Sequence, residues 1–132
     1  MRPAPIEAWH ALMNSRDLSG LDALLADEVV FESPVVHTPQ AGRAKTALYL
    51  RAADRVLNAG AFRYVGEWHA ERSAVLEFNT EIDGILIDGV DMIWWDERDR
   101  IVRFKVMVRP LKAIGLLHER MGAMLERMVK GG

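Results

Sequence analysis

The chain has 132 residues, half of them hydrophobic and 27% charged, with a net charge of −2 and no cysteine. That length suits one domain burying about 68% of its unfolded surface, and 1–132 reads as a single unit without linker or repeat. The composition excludes a basic footprint for nucleic acid, a cationic face for a membrane, and disulfides or thiolate metal sites.

The opening Met-Arg-Pro-Ala-Pro lacks the apolar run of a signal peptide, and no stretch approaches a membrane span, so a cytoplasmic protein is expected. Ile6, Trp9, His10 and Met13 recur at helical spacing. Asp17 and Ser19 suit the N-cap of a short second helix with Leu21, Leu24 and Leu25 on its buried side. Val29 to Ser33 is a short strand stopped by Pro34, and Val35-Val36-His37-Thr38-Pro39 continues extended to the turn Gln40-Ala41-Gly42. The pattern is helical from Arg43 to Asn58, with Leu48, Ala52 and Val56 beside Tyr49, Ala53 and Leu57, and Ala59-Gly60 ends it.

Phe62 to His69 reads as a strand with Phe62, Tyr64 and Trp68 on one side. Ala74 to Ile82 alternates, Ala74, Leu76, Phe78, Thr80 and Ile82 facing a core and Glu77, Asn79 and Glu81 facing water. Strands at 90–95 and 101–108 follow, folded back through the charged turn Asp96 to Arg100. Pro110 starts a last helix with Leu111, Ile114, Leu117, Met121, Met124, Leu125 and Met128 on its apolar stripe. Helices, then strands joined by short turns, imply an α+β fold with an antiparallel sheet curled around the early helices.

One residue conflicts with its pattern. Asp91 shares a strand face with Ile93 and Trp95, while Val90, Met92 and Trp94 make the opposite face apolar as well. An ionised carboxylate there carries a desolvation cost of several kcal/mol, so Asp91 must be paired, hydrogen-bonded or neutral. It is a functional carboxyl, a structural acceptor for a neighbouring backbone or indole group, or an edge-strand residue facing water.

Three runs carry a resemblance to a known family: Ala26 to Pro34, Gly42 into the helix at 43–58, and Gly89-Val90-Asp91 through Arg100-Ile101-Val102. The chain resembles the NTF2-like superfamily, in its SnoaL-like and ketosteroid-isomerase-like branch. The resemblance implies a cone-shaped barrel of curved sheet around N-terminal helices, with a pocket between them. It also implies a homodimer through the outer sheet face. Asp91 falls where the isomerases have the protonated aspartic acid of their oxyanion hole, an enzyme that serves as a standard example of a carboxyl kept neutral by apolar surroundings. SnoaL-like cyclases resemble the chain in having an acid/base aspartate near this point. Two isomerase roles are not kept: Ser33 stands in place of the carboxylate base, and Trp9 in place of the tyrosine donor of the first helix. Val106 stands where epoxide hydrolases of the superfamily need an aspartate, which argues against that chemistry.

The expected function is binding of an apolar, carbonyl-bearing small molecule, with proton transfer (isomerisation or cyclisation) as the associated chemistry. Asp91 and His37 are the catalytic candidates, the protonated aspartic acid steadying an enolate oxygen and the imidazole shuttling the proton through a water held by Ser33. The competing reading of His37 is a histidine at the surface or behind the site, with no part in the chemistry. Trp9, Phe31, Tyr49, Phe62, Tyr64, Phe104 and Val106 are candidates for an apolar lining, and each reads singly as core. His10, His69 and His118 share no ligand spacing, so neither metal nor cofactor is expected. The alternative is a non-catalytic ligand-binding or dimerisation domain of the same fold.

Overall fold

A computed structural model describes residues 2–58 and 60–131. Helix α1 spans Ala4–Ser15 with Pro5 in its first turn, where a missing N–H removes no intrahelical bond. Asp17 accepts a hydrogen bond from the Ser19 amide and caps a single turn at Leu18–Gly20, which runs into α2 at Leu21–Leu24. Strands β1 (Leu25–Glu32) and β2 (Gln40–Ala41) lead to α3 (Arg43–Leu57). Then come β3 (Arg63–His69), β4 (Ser73–Ile82), β5 (Ile85–Trp95), β6 (Ile101–Arg109) and α4 (Leu111–Gly131). Asn58 ends α3; the Ala59 part of the expected stop lies outside the described residues.

The six strands form one curved sheet in the order β2-β1-β6-β5-β4-β3. The α+β cone with a C-terminal helix is therefore as expected, but the sheet is open and mixed rather than antiparallel throughout. β1 runs parallel to β6, with Phe31 beside Phe104. Nothing local announces that pair, because its partners are some seventy residues apart. β1 also begins at Leu25 rather than Val29. Its register with β6 shifts between Leu25 and Val30, which lets Asp27 and Glu28 stay in water within the strand.

The predicted alternation holds on β4 and β5. Ala74, Leu76, Phe78 and Thr80 are buried, as are Ile87, Asp91, Ile93 and Trp95, while Val90, Met92 and Trp94 lie half-buried on the outer face. β3 departs from its expected pattern. A bulge between Tyr64 and Gly66 reverses the side-chain sense, so Tyr64 pairs with buried Phe78 but Trp68 pairs with Val75 on the outer face and is 59% exposed.

Phe31, Phe78 and Phe104 are fully buried at the centre of the core, each contributing about 1.5–3 kcal/mol by leaving water. Gly89 is what lets Phe78 lie flat across β5. A Cβ there would collide with the Phe78 ring, already stacked on Phe62 at 5.0 Å, and would sit 2.9 Å from the Met107 carbonyl oxygen. Helix α4 buries Ala113, Leu117 and Met121 against the rest and closes the open side of the cone. Among the described residues no helix is long and apolar enough to cross a membrane.

Candidate functional site

β5 puts Asp91 on the concave face of the sheet, between Leu76 of β4 and Val106 of β6. Only 6% of it is exposed. The Tyr64 hydroxyl donates to Asp91 Oδ2 at 2.5 Å, and the Trp9 indole N–H donates to the Tyr64 oxygen at 2.9 Å. An indole can only donate, so the Tyr64 oxygen accepts that bond, and its own proton is free to be donated to ionised Asp91 Oδ2.

Burial raises the Asp91 pKa from 3.8 to about 7, the Tyr64 hydrogen bond pulling the other way. Burial first, and then the Asp91 charge, hold the Tyr64 phenol well above its usual value, so at neutral pH it remains a neutral donor. A second set of bonds fixes α1 against β3. Glu67 Oε1 meets His10 Nε2 at 2.7 Å, and its Oε2 meets His69 Nε2 at 2.5 Å and Arg2 Nε at 3.0 Å. His10 also lies edge-on to the Tyr64 ring at 5.2 Å. These contacts hold Trp9, one residue before His10, at the depth where its indole reaches Tyr64.

Asp91 borders a cavity with about 640 Å³ of atom-free space, its open mouth included. Trp9 and Met13 of α1 form one wall, Phe31 and Ser33 at the end of β1 another, and Phe104 and Val106 of β6 the floor beside Asp91. Leu50, Ala53, Asp54 and Leu57 of α3 face them, with Phe62, Asn58, and Leu117 and Met121 of α4 completing the enclosure.

Of the residues singled out in the sequence, Trp9, Phe31, Ser33, Phe62, Asp91, Phe104 and Val106 line this space together. Tyr64 does not line it but stands behind Asp91 as its hydrogen-bond donor. Tyr49 packs on Phe31, ring centres 5.7 Å apart. His37 is exposed in the segment after β1 and is not part of the lining. Ser33 Oγ accepts the Val35 amide at 3.1 Å, so the hydroxyl shapes the turn at Pro34. Among the described residues, no group of three His, Asp or Glu side chains is placed to hold a metal ion.

Asp54 and Asn58 were not singled out in the sequence, and Leu117 and Met121 were placed only on the apolar stripe of the last helix. For Asp54 a signal existed: Leu50, Ala53 and Leu57 sit at i, i+3 and i+7, and Asp54 at i+4 is the ionisable member of that apolar stripe.

Residues 6–104 match the SnoaL-like domain family. The chain belongs to the SnoaL-like domain family. It is similar to a crystal structure from Pseudomonas aeruginosa described as a steroid delta-isomerase, at 38% identity over 96% of this chain and 93% of that one, TM-score 0.91. A second structure, an uncharacterised protein from Silicibacter pomeroyi with a cystatin-like fold, is 30% identical over 91% of this chain and 84% of its own, TM-score 0.83. An NTF2-like protein from Mesorhizobium loti, 21% identical over 80% of this chain and 88% of its own, shares the fold at a TM-score of 0.70. No curated protein matches the chain. The SnoaL-like domain thus has the fold the sequence resemblance implied.

Proposed function

We propose that this SnoaL-like domain binds an apolar small molecule carrying a carbonyl or hydroxyl, and moves a proton on the carbon next to that oxygen with Asp91 as both acid and base. The observation that carries this reading is a carboxyl with a pKa of about 7 at the floor of an apolar cavity. Proton transfer is most efficient when the catalytic pKa lies near the working pH, because both forms are then populated. Ionised Asp91 takes the carbon-bound proton, and the resulting neutral acid returns it at another carbon or at oxygen. Tyr64 keeps the carboxyl oriented and supplies a hydrogen bond that favours the ionised form. The exposed position of His37 leaves it outside this scheme, and no cofactor or metal enters it.

The likeness to a structure described as a steroid delta-isomerase supports testing cyclic ketones first. A panel of steroid and polyketide-like ketones is incubated with the protein in D2O, and deuterium entering the α-carbon is followed by NMR, alongside melting temperature. Wild type is expected to be stabilised by at least one ketone and to accelerate its exchange, with Asp91→Asn retaining the stabilisation and losing the exchange. Stabilisation without exchange would favour the non-catalytic binding domain. No stabilisation by any member would leave the cavity incidental.

We also propose a homodimer through the outer sheet face. Trp68, Val65 and Met107 are exposed there by 46–59%, beside half-buried Val90, Met92 and Trp94. Glu77, Arg103 and Lys105 stand among these apolar side chains, and a mixed face of this kind on a twisted sheet is suited to an isologous contact in which apolar groups and opposite charges both find partners. Light scattering at micromolar concentration should give twice the chain mass of 14.9 kDa. A monomer mass would end the proposal.

A further inference from the structure

The proton transfer proposed above uses one of the two carboxyl groups that line the cavity. The other, Asp54, is half-buried on α3, and its Oδ1 accepts a hydrogen bond from the Asn58 side-chain amide at 3.2 Å. Its neighbour Arg51 turns away to Asp22, at 3.6 Å. Among the described residues that line the cavity there is no Lys, Arg or His, and the Arg16 guanidinium is engaged by the Asn58 main-chain oxygen at 2.7 Å, so the carboxylate faces a largely apolar space with the Asn58 amide as its side-chain partner. Four aromatic side chains, Trp9, Phe31, Phe62 and Phe104, border the same space. A half-buried carboxylate at the edge of an apolar space, with no ion-pair partner among the described residues, leaves a place where a cation brought by the ligand can pair. Aromatic faces attract the same kind of group. Among the described lining residues an anionic ligand finds no cation, and it meets the Asp54 carboxylate.

We infer that the cavity selects an apolar amine, a ligand whose ammonium group pairs with Asp54 while its hydrocarbon body lies on the aromatic walls and its oxygen-bearing end reaches Asp91. This rests on the reading of the cavity as a ligand site, and it adds the charge of the ligand. Carboxylates, phosphate monoesters and sulfate monoesters are disfavoured as ligands by the same charge.

Three probes with one skeleton test it by isothermal titration calorimetry on the full chain at pH 6: 2-(aminomethyl)naphthalene, 2-naphthalenemethanol and 2-naphthoate. At that pH the amine is cationic and Asp91 is mostly neutral, so a preference for charge reports Asp54. The amine is expected to bind about 10-fold tighter than the alcohol, a difference of about 1.4 kcal/mol, with the naphthoate weakest. Asp54→Asn should bring amine and alcohol within about 2-fold of each other, since it removes the ion pair and keeps the shape. Alcohol binding as tight as amine binding in the wild type overturns the inference while leaving the ligand site standing, and so does an amine preference that survives Asp54→Asn. If neither alcohol nor amine binds, the ligand-site reading falls and takes this inference with it. The wild-type comparison decides even if the variant fails to fold.

Discussion

Wild type is expected to lose on the order of 4 kcal/mol of stability relative to Asp91→Asn as pH rises from 4 to 8. The folded chain holds the Asp91 proton up to about pH 7, whereas an unfolded chain releases it near 3.8. Between those values the folded state binds more protons than the unfolded one, and unfolding becomes easier with each increment of pH, by about 1.4 kcal/mol per unit. The stabilisation from the neutral acid is fully present below pH 3.8 and gone above about pH 7. Asparagine keeps the shape of the side chain and a hydrogen-bond donor but has nothing to titrate, so the difference between the two proteins isolates this one group. Urea denaturation of both from pH 4 to pH 9 gives the curve. A wild type that gains on the variant as pH rises would mean an ionised, paired, structural carboxylate, and the acid–base role would have to be abandoned. For any ketone whose exchange the wild type accelerates, Asp91→Asn should lower the rate about 10²- to 10⁴-fold with little change in binding.

Tyr64→Phe should be the most damaging single change that leaves every apolar contact of the ring in place. It removes one hydroxyl and breaks two hydrogen bonds at once, leaving the Trp9 indole N–H and Asp91 Oδ2 without partners in a buried region. Unsatisfied buried groups of this kind cost about 1–3 kcal/mol each, so a loss of roughly 2–4 kcal/mol is expected at pH 5, where Asp91 is neutral. The loss should deepen above neutral pH, because the Tyr64 bond favours the ionised carboxyl and without it the Asp91 pKa rises further. The measurement is the same denaturation series, with the exchange rate of a bound ketone as second readout and its pH midpoint expected to move upward. An unchanged midpoint would show that Tyr64 does not act through Asp91.

The order of the main elements (without β2, whose Gln40-Ala41 the sequence marks as a turn), the inner face of β4 and β5, and the conflict at Asp91 were determined by the sequence by itself. Each is a consequence of period: side chains alternate along a strand, so a carboxyl in register with Ile93 and Trp95 has to share their burial. Trp9, Phe31, Phe104 and Val106 were candidates for an apolar lining by residue type, but each read singly as core, and it is the tertiary structure that gathers them round one cavity. Only the tertiary structure decided who partners whom. Tyr64 comes within hydrogen-bond distance of Asp91 because β3 lies at the far edge of the sheet, next to β4, and curves over the cavity, and the bulge after Tyr64 lets that ring face inward while Trp68 faces out. Periodicity cannot reveal a bulge, since one extra residue reverses the pattern without leaving a residue-type signal. The parallel pairing of β1 with β6, the closure of the cone by α4, and the arrival of Asp54 in the cavity are decided the same way. They depend on contacts between segments far apart in the chain, and such contacts are fixed by how the faces pack, not by any one of the segments alone.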